Sequence, residues 1–441
     1  MWGAEGRGRH RVRAQRPAAL VKCELRRKRG RGTWCTRGTA IRVTLAFLSA
    51  AVLSVALLVV ALPSTGPVYG VLEADPRYLA SDYQAGIRLA IVQPQWDAWE
   101  PRPGAFDRRY RAQEIAAVQA YRSAGYEVGV DIGLQSPPAW LLQRPGAQLV
   151  DQFGNQSGTA NFEFDQSVRV AAAAYIRVVV DSLGPVKYYR VGLSGSGEAL
   201  YPEAPGDNWW AFDPRAQGAQ GGLPPGVPAV PLPAWVPGDA LYHGRSVTQV
   251  QVRSWYRWYF GASVNAHAWE IRAYRAAGYT GMLQLVMPGY GTGPSVYRAR
   301  MRADLAPVTY DPFDTMNTGA VWFKFLAELP DLHGLVVDIS SVGDGSGIPA
   351  NNTCQPGDDS EPLDSVRARF WSDTRWLTYL AHSHGLQVMG ENPGNTRPAQ
   401  LPEILELARS CGLIALQWAW DYQLHSRTYA SLRLLRREME N

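Results

Sequence analysis

From residue 69 to the C-terminus, short continuous apolar runs alternate with longer stretches of helical spacing. The apolar runs cover residues 69–73, 88–93, 127–132, 188–193, 282–287, 335–339, 386–389 and 413–418. Helical periodicity covers 77–85, 108–124, 168–183, 320–329, 365–384, 401–410 and 428–439, and the stretch 253–278 has the same character. A short run that is apolar throughout is the mark of a parallel strand covered on both faces. Eight such strand–helix units in one chain predict an α/β fold, a closed (β/α)8 TIM barrel over 69–441, rather than an open sheet. Gly125, Gly278, Gly334 and Gly385 each stand between a helical stretch and the next strand, where a C-capping glycine belongs.

One interruption breaks the rhythm. After the fourth strand, residues 201 to about 250 are rich in Pro, Gly and Trp and include PPGVPAVPLPAW. A structureless stretch of this length is expected to be functional or disordered. It is predicted as an insertion over the carboxylate end of the barrel, with Trp209 and Trp210 able to stack on a ligand.

The N-terminal segment is of another kind. Residues 1–42 hold 13 Lys/Arg against 2 Asp/Glu, a net +11, so the chain's overall +5 leaves the remainder at −6. A mildly acidic folded part carries no nucleic-acid footprint. Residues 43–62, VTLAFLSAAVLSVALLVVAL, are twenty residues without a charge, long enough to cross a bilayer as a helix. With the basic tail kept inside, the expected organisation is a tail (1–42), a transmembrane signal anchor or cleaved signal peptide (43–62), a linker (63–68) and an exported domain. Cys354 and Cys411 fall in that domain, where a disulfide is permitted, and Cys23 and Cys35 in the tail. The seven scattered histidines give no zinc pattern, so no metal or other cofactor is expected.

Chemistry is sought at the C-terminal ends of the strands. KYYRVGLSGSGEALYPE (187–203) follows strand four with a glycine-rich turn and one acid, Glu198. LQVMGENPGN ends strand seven with Glu391. Two carboxylates facing each other across a barrel mouth are what glycoside hydrolysis needs, one to protonate the leaving oxygen and one to attack or to activate water. Asp131 ends strand three, Trp96 follows strand two, Tyr290 follows strand five, Asp338 lies on strand six and Trp418 ends strand eight. These are the candidates for holding sugar hydroxyls and flooring a subsite.

QPQWDAWEPRPGAFD (93–107) and SPPAWLLQRPGAQLVDQFGN (136–155) resemble the segments after strands two and three of clan A glycoside hydrolases, including the family 42 β-galactosidases. VGLSGSGEALYPE and MGENPGN are similar to the two catalytic segments of β-amylases, with Gly-Glu followed by Tyr-Pro on strand four and Gly-Glu-Asn on strand seven. The resemblance covers most of 69–421. It implies that Glu198 is the general acid and Glu391 the nucleophile or base, and it adds Tyr201 and Asn392 to the substrate-binding candidates. One position departs from clan A: Gly197 stands where those enzymes usually carry Asn. Both a retaining, β-galactosidase-like course and an inverting, β-amylase-like course therefore stay open. The competing class is a membrane-tethered barrel that binds carbohydrate without cleaving it, which would keep the aromatic residues and not need both acids.

Overall fold

The computed structural model describes residues 66–202, 208–303, 315–344 and 352–440. The basic tail and the apolar run 43–62 lie outside the described residues. Among the described residues no helix is long and apolar enough to cross a membrane. Residues 64–441 form one compact unit.

That unit is a closed barrel of eight parallel strands: β1 (Val68–Val71), β2 (Leu89–Val92), β3 (Glu127–Val130), β4 (Tyr188–Val191), β5 (Met282–Met287), β6 (Leu335–Ile339), β7 (Gln387–Glu391) and β8 (Ala415–Trp418). Each strand pairs with its neighbours in sequence, and β1 closes on β8 with Val68 opposite Ala415 and Val71 opposite Trp418. The strands are almost wholly buried, which is why they read as unbroken apolar runs.

The helices that follow the strands include α1 (Leu79–Ala85), α2 (Arg108–Ser123), α3 (Gln166–Leu183), α4 (Gln249–Ala276), α5 (Trp322–Glu328), α6 (Asp373–Ser383), α7 (Leu401–Ser410) and α8 (Leu432–Met439). Side-chain caps fix several starts. Asp107 accepts from Arg109 and Tyr110 amides, Thr248 forms a capping box with Gln251, and Ser372 accepts from the Arg375 amide. The Ser372 cap starts α6 later than the helical stretch expected from residue 365. The glycines expected as caps, among them Gly125 and Gly385, take positive φ values of 87° and 70°.

Inside the barrel, side chains fall in layers, as alternation along each strand requires. Leu89, Ile91, Tyr188, Val336, Met389 and Ala415 make an apolar plug. Two residues further along the same strands, the inward positions turn polar: Gln93, Arg190, Asp338, Glu391 and Gln417. The C-terminal layer of the lumen is thus ionic above an apolar floor.

Among the described residues of 192–248, between β4 and α4, the regular element is a hairpin of two-residue strands, Leu241–Tyr242 with Arg245–Ser246. Their described part packs into a second hydrophobic core. Trp209, Trp210, Trp235 and Leu232 meet Val252, Trp255, Tyr256 and Tyr259 of α4. The C-terminal half of α4, with Val264, Ala268, Ile271 and Tyr274, belongs to the main core around the barrel. Cys354 and Cys411 are joined by a disulfide that ties the loop after β6 to the end of α7.

Candidate active site

β4 and the turn after it place Glu198. The turn folds back on itself, with the amides of Leu193 and Ser194 donating to the Glu198 carbonyl at 3.0 and 3.1 Å. Gly197 has φ +75°, the left-handed region that favours glycine. A Cβ on Gly192 would collide with the Gly197 carbonyl, so the close return needs glycine there. Helix α4 braces this segment from behind. Its buried Glu270 accepts from the Gly192 amide, and the Tyr274 hydroxyl donates to the Arg190 carbonyl at 3.1 Å. Burial drives the Glu270 carboxyl well above its ordinary value.

The Glu198 carboxylate is held at both oxygens. Ser196 Oγ donates to Oε2 and Ser340 Oγ, just past β6, donates to Oε1, each at 2.6 Å. Ser194 Oγ in turn accepts from the Glu198 amide at 3.1 Å and lies 2.8 Å from Ser196 Oγ.

Glu391, the last residue of β7, is held quite differently. Buried Arg190 donates through Nη2 to its Oε1 at 3.2 Å and through Nη1 to its Oε2 at 3.3 Å. The same guanidinium reaches Asp338 Oδ2 at 3.0 Å, and its Nε lies 3.6 Å from Asp131 Oδ2. One cation therefore serves three carboxylates away from water. Burial alone would pull the guanidinium pKa down, but Glu391, Asp338 and Asp131 together raise it. Asp338 feels the opposite balance. Burial, then the Glu391 charge, push its carboxyl up to about 7, against the pull of Arg190 and the Gln417 amide. Asp131 is fixed by Gln135 and Gln93, which donate to Oδ2 at 2.9 and 3.2 Å.

Glu198 and Glu391 line one cavity of about 180 Å³, together with Asp131, Arg190, Glu73 and Trp420. Glu198, Ser340 and Pro393 also border a second cavity of about 420 Å³, whose far wall includes Tyr290, Thr318 and Asp344. Glu198 thus stands between two chambers, and Glu391 faces only the smaller. Neither chamber is lined by His or Cys.

The other residues singled out in the sequence divide by burial. Asp131 lines the smaller cavity and Tyr290 the larger, the latter stacked on Trp376 at 4.8 Å. Asn392 lines the smaller cavity, but its amide is committed to Thr396 Oγ1 and to both the N–H and carbonyl of Ala419. Asp338 sits beneath, wholly buried, as a partner of Arg190 and Gln417. Five aromatic residues expected to contact substrate, four of them as stacking surfaces, are instead buried. Trp96 is fully buried against Tyr175 and bonded to Glu100. Trp418 is buried behind β8 in the main core. Tyr201 stacks on Tyr259 at 4.2 Å and, with Trp209 and Trp210, is buried in the second core. A long loop without regular structure must bury its largest apolar surfaces to be ordered, and these rings are those surfaces.

Several residues at the mouth escaped the sequence reading. Arg190 is the chief one, and a lone arginine inside an otherwise apolar strand was its signal. Ser340, Ser196, Gln417 and Glu73 were also missed. Glu73, at the rim with φ 48°, has its carboxyl raised by burial and by Asp131.

A (β/α)8 barrel with a carboxylate pair at its C-terminal mouth is the class this fold and site define. No protein-family model and no curated protein sequence matches the chain. Solved structures do. The catalytic domain of a β-amylase from Paenibacillus polymyxa aligns over 85% of this chain and 99% of its own, at 12% identity and a TM-score of 0.58. A β-galactosidase from the psychrophilic Marinomonas ef1 aligns over 80% of this chain and 54% of its own, at 14% identity and a TM-score of 0.49. The likeness to the β-amylase is one of fold.

Proposed function

We propose that the chain is a glycoside hydrolase that cleaves O-glycosidic bonds of an oligo- or polysaccharide with Glu198 and Glu391. The observation that carries this reading is the shared cavity: two glutamates from β4 and β7 line it, one clamped by a guanidinium and one by hydroxyls. Glu391 is fixed to Arg190 by two hydrogen bonds and lines the smaller chamber, which suits a nucleophile or base. Glu198 borders both chambers, which suits the acid that protonates the oxygen between a sugar held in one and a leaving group held in the other. Direct attack by Glu391 gives retention, and attack by a water that Glu391 activates gives inversion. Asp131 and Glu73 are the groups available to sugar hydroxyls, and Trp420 offers a ring in the same wall.

The β-amylase is the neighbour whose fold is shared, so α-linked glucans head the substrate panel. Parent protein and Glu198→Gln would be incubated with aryl glycosides and with α- and β-linked glucans and galactans. The expected result is sugar release by the parent alone, and NMR of the first-formed anomer separates retention from inversion. Folded parent that binds a glycan without releasing sugar would overturn the proposal in favour of a binding barrel. We also propose that the domain works outside the cytoplasm, tethered by residues 43–62 or released by cleavage after them. The Cys354–Cys411 disulfide supports an oxidising compartment.

A further inference from the structure

Away from the mouth, the seam where the chain's first and last units meet holds a second cluster of ionisable groups. Helix α1, after β1, contributes Asp82; the segment after β8 contributes Asp421 and His425. Both carboxylates are completely buried, while the imidazole edge reaches solvent. His425 Nε2 lies 2.9 Å from Asp82 Oδ1 and 3.6 Å from Asp421 Oδ1. One ligand atom from each residue falls within 4.8 Å of the others.

Two buried oxygens in this cluster, Asp82 Oδ2 and Asp421 Oδ1, receive no hydrogen bond from an N–H or hydroxyl donor, and the two carboxyls lie within hydrogen-bonding reach of each other. Among the described residues, no Arg or Lys pairs with either carboxylate. Two carboxylates side by side out of water need either a shared proton or a cation between them. The rest of the surroundings is arranged as around a bound ion. The Asp75 amide donates to Asp421 Oδ2 at 2.8 Å and fixes that carboxylate's orientation. The Tyr78 ring stacks on the imidazole at 3.7 Å and 9° and fixes its plane. Outer contacts of this kind orient ligands in metal sites.

We propose that Asp82, Asp421 and His425 bind a divalent transition-metal ion, zinc by preference, that clips the two ends of the barrel together. The donor set argues for the ion: one imidazole and two carboxylates suit zinc, whereas calcium and magnesium want oxygen donors in larger number. The spacing agrees. Bonds of about 2.0–2.2 Å in a tetrahedron set ligand atoms about 3.3–3.6 Å apart; the observed 3.6 Å falls at the top of that range and the 2.9 Å pair must open by about half an ångström. Three protein ligands leave the fourth position to water. None of the three lines either chamber at the mouth, so the site is separate from Glu198 and Glu391. It is joined to the mouth by one peptide unit: Trp420, in the wall of the smaller chamber, precedes Asp421. The pattern was hidden in the sequence because Asp82 and His425 stand 343 positions apart.

The test uses the full chain, stripped with a chelator and dialysed, then titrated with zinc chloride. Metal content by mass spectrometry and the melting temperature are read for the parent and for Asp82→Asn, Asp421→Asn and His425→Gln. The expected result is one zinc per chain and a raised melting temperature in the parent, with uptake at least tenfold weaker and no thermal response in each variant. Zinc uptake that is unchanged in all three variants places the ion elsewhere and overturns the proposal. So does a parent that takes up no zinc, and Asp82→Asn melting higher than that parent would identify the pair as sharing a proton.

Discussion

Replacing Arg190 by Met probes the charge arrangement at the mouth directly. The side chain is similar in length and apolar, so the lumen stays filled while the cation that pairs with Asp131, Asp338 and Glu391 is lost. Removing one partner of a buried ion pair costs about 3–5 kcal/mol, because the remaining charge is left uncompensated. Here three carboxylates remain, and two of them lose direct hydrogen bonds. The cost therefore belongs at the upper end of that range at pH 7.5. It must also depend on pH. Asp338 already has its carboxyl raised to about 7 by burial and Glu391, and losing Arg190 raises it further. Between the unfolded and folded pKa values of such a group, the native state binds the extra proton, so stability falls as pH rises. Lowering the pH to 5 therefore returns a large part of what the variant has lost. Urea unfolding at pH 7.5 and pH 5 reads this difference. Glycosidase activity should drop by about 100-fold or more, the effect of a misplaced reacting group. Arg190→Lys keeps a charge but not the two-pronged geometry, and should recover stability more than activity. A Met variant within about 1 kcal/mol of the parent at both pH values would refute the reasoning.

Other substitutions test separate parts of the site. Glu198→Gln should lose about 10²–10⁴-fold in kcat on natural glycosides, and much less on aryl glycosides whose phenolate leaves without a proton; steady-state kinetics on both substrate types checks this. Gly192→Ala should abolish activity in a protein that still folds, because the new methyl forces the Gly197 carbonyl and with it Glu198 out of place; circular dichroism and turnover together read the outcome. Opening the Cys354–Cys411 bridge, which closes a loop of 57 residues, should cost about 4 kcal/mol by the chain-entropy relation; chemical denaturation of Cys354→Ser beside the parent measures it. Glu73→Gln should raise KM more than it lowers kcat if the rim carboxylate holds a sugar hydroxyl, and a pure kcat loss would exclude that role.

The eight strands were legible because each is covered on both faces and so reads as an unbroken apolar run. β5 and β6 coincide with the expected runs to the residue. Glu391 was legible too, as an acid closing an apolar strand inside a glycine-rich segment. What escaped was the inward-facing column. Tyr188 and Arg190, Val336 and Asp338, Met389 and Glu391, Ala415 and Gln417 are each two apart, so each pair points the same way. Read as a set, those pairs mark where the lumen changes from apolar to ionic, and they single out Arg190. The tryptophans were misread for another reason. A ring that could floor a sugar site and a ring that fills a core have the same letter, and only the packing around Trp209 or Trp96 tells them apart.

Helix α4 runs for 28 residues, about 42 Å at the usual rise, with one half in each of two hydrophobic cores. The insertion after β4 therefore has no seam at its C-terminal end. Exchanging it for the corresponding loop of another barrel, by recombination or by design, would strand Trp255, Tyr256 and Tyr259 without their partners unless the first four turns of α4 travelled with it. Residues 192 to about 262 thus form the smallest transplantable module. Its rear boundary falls just ahead of Glu270 and Tyr274, the two side chains that hold the end of β4 in place.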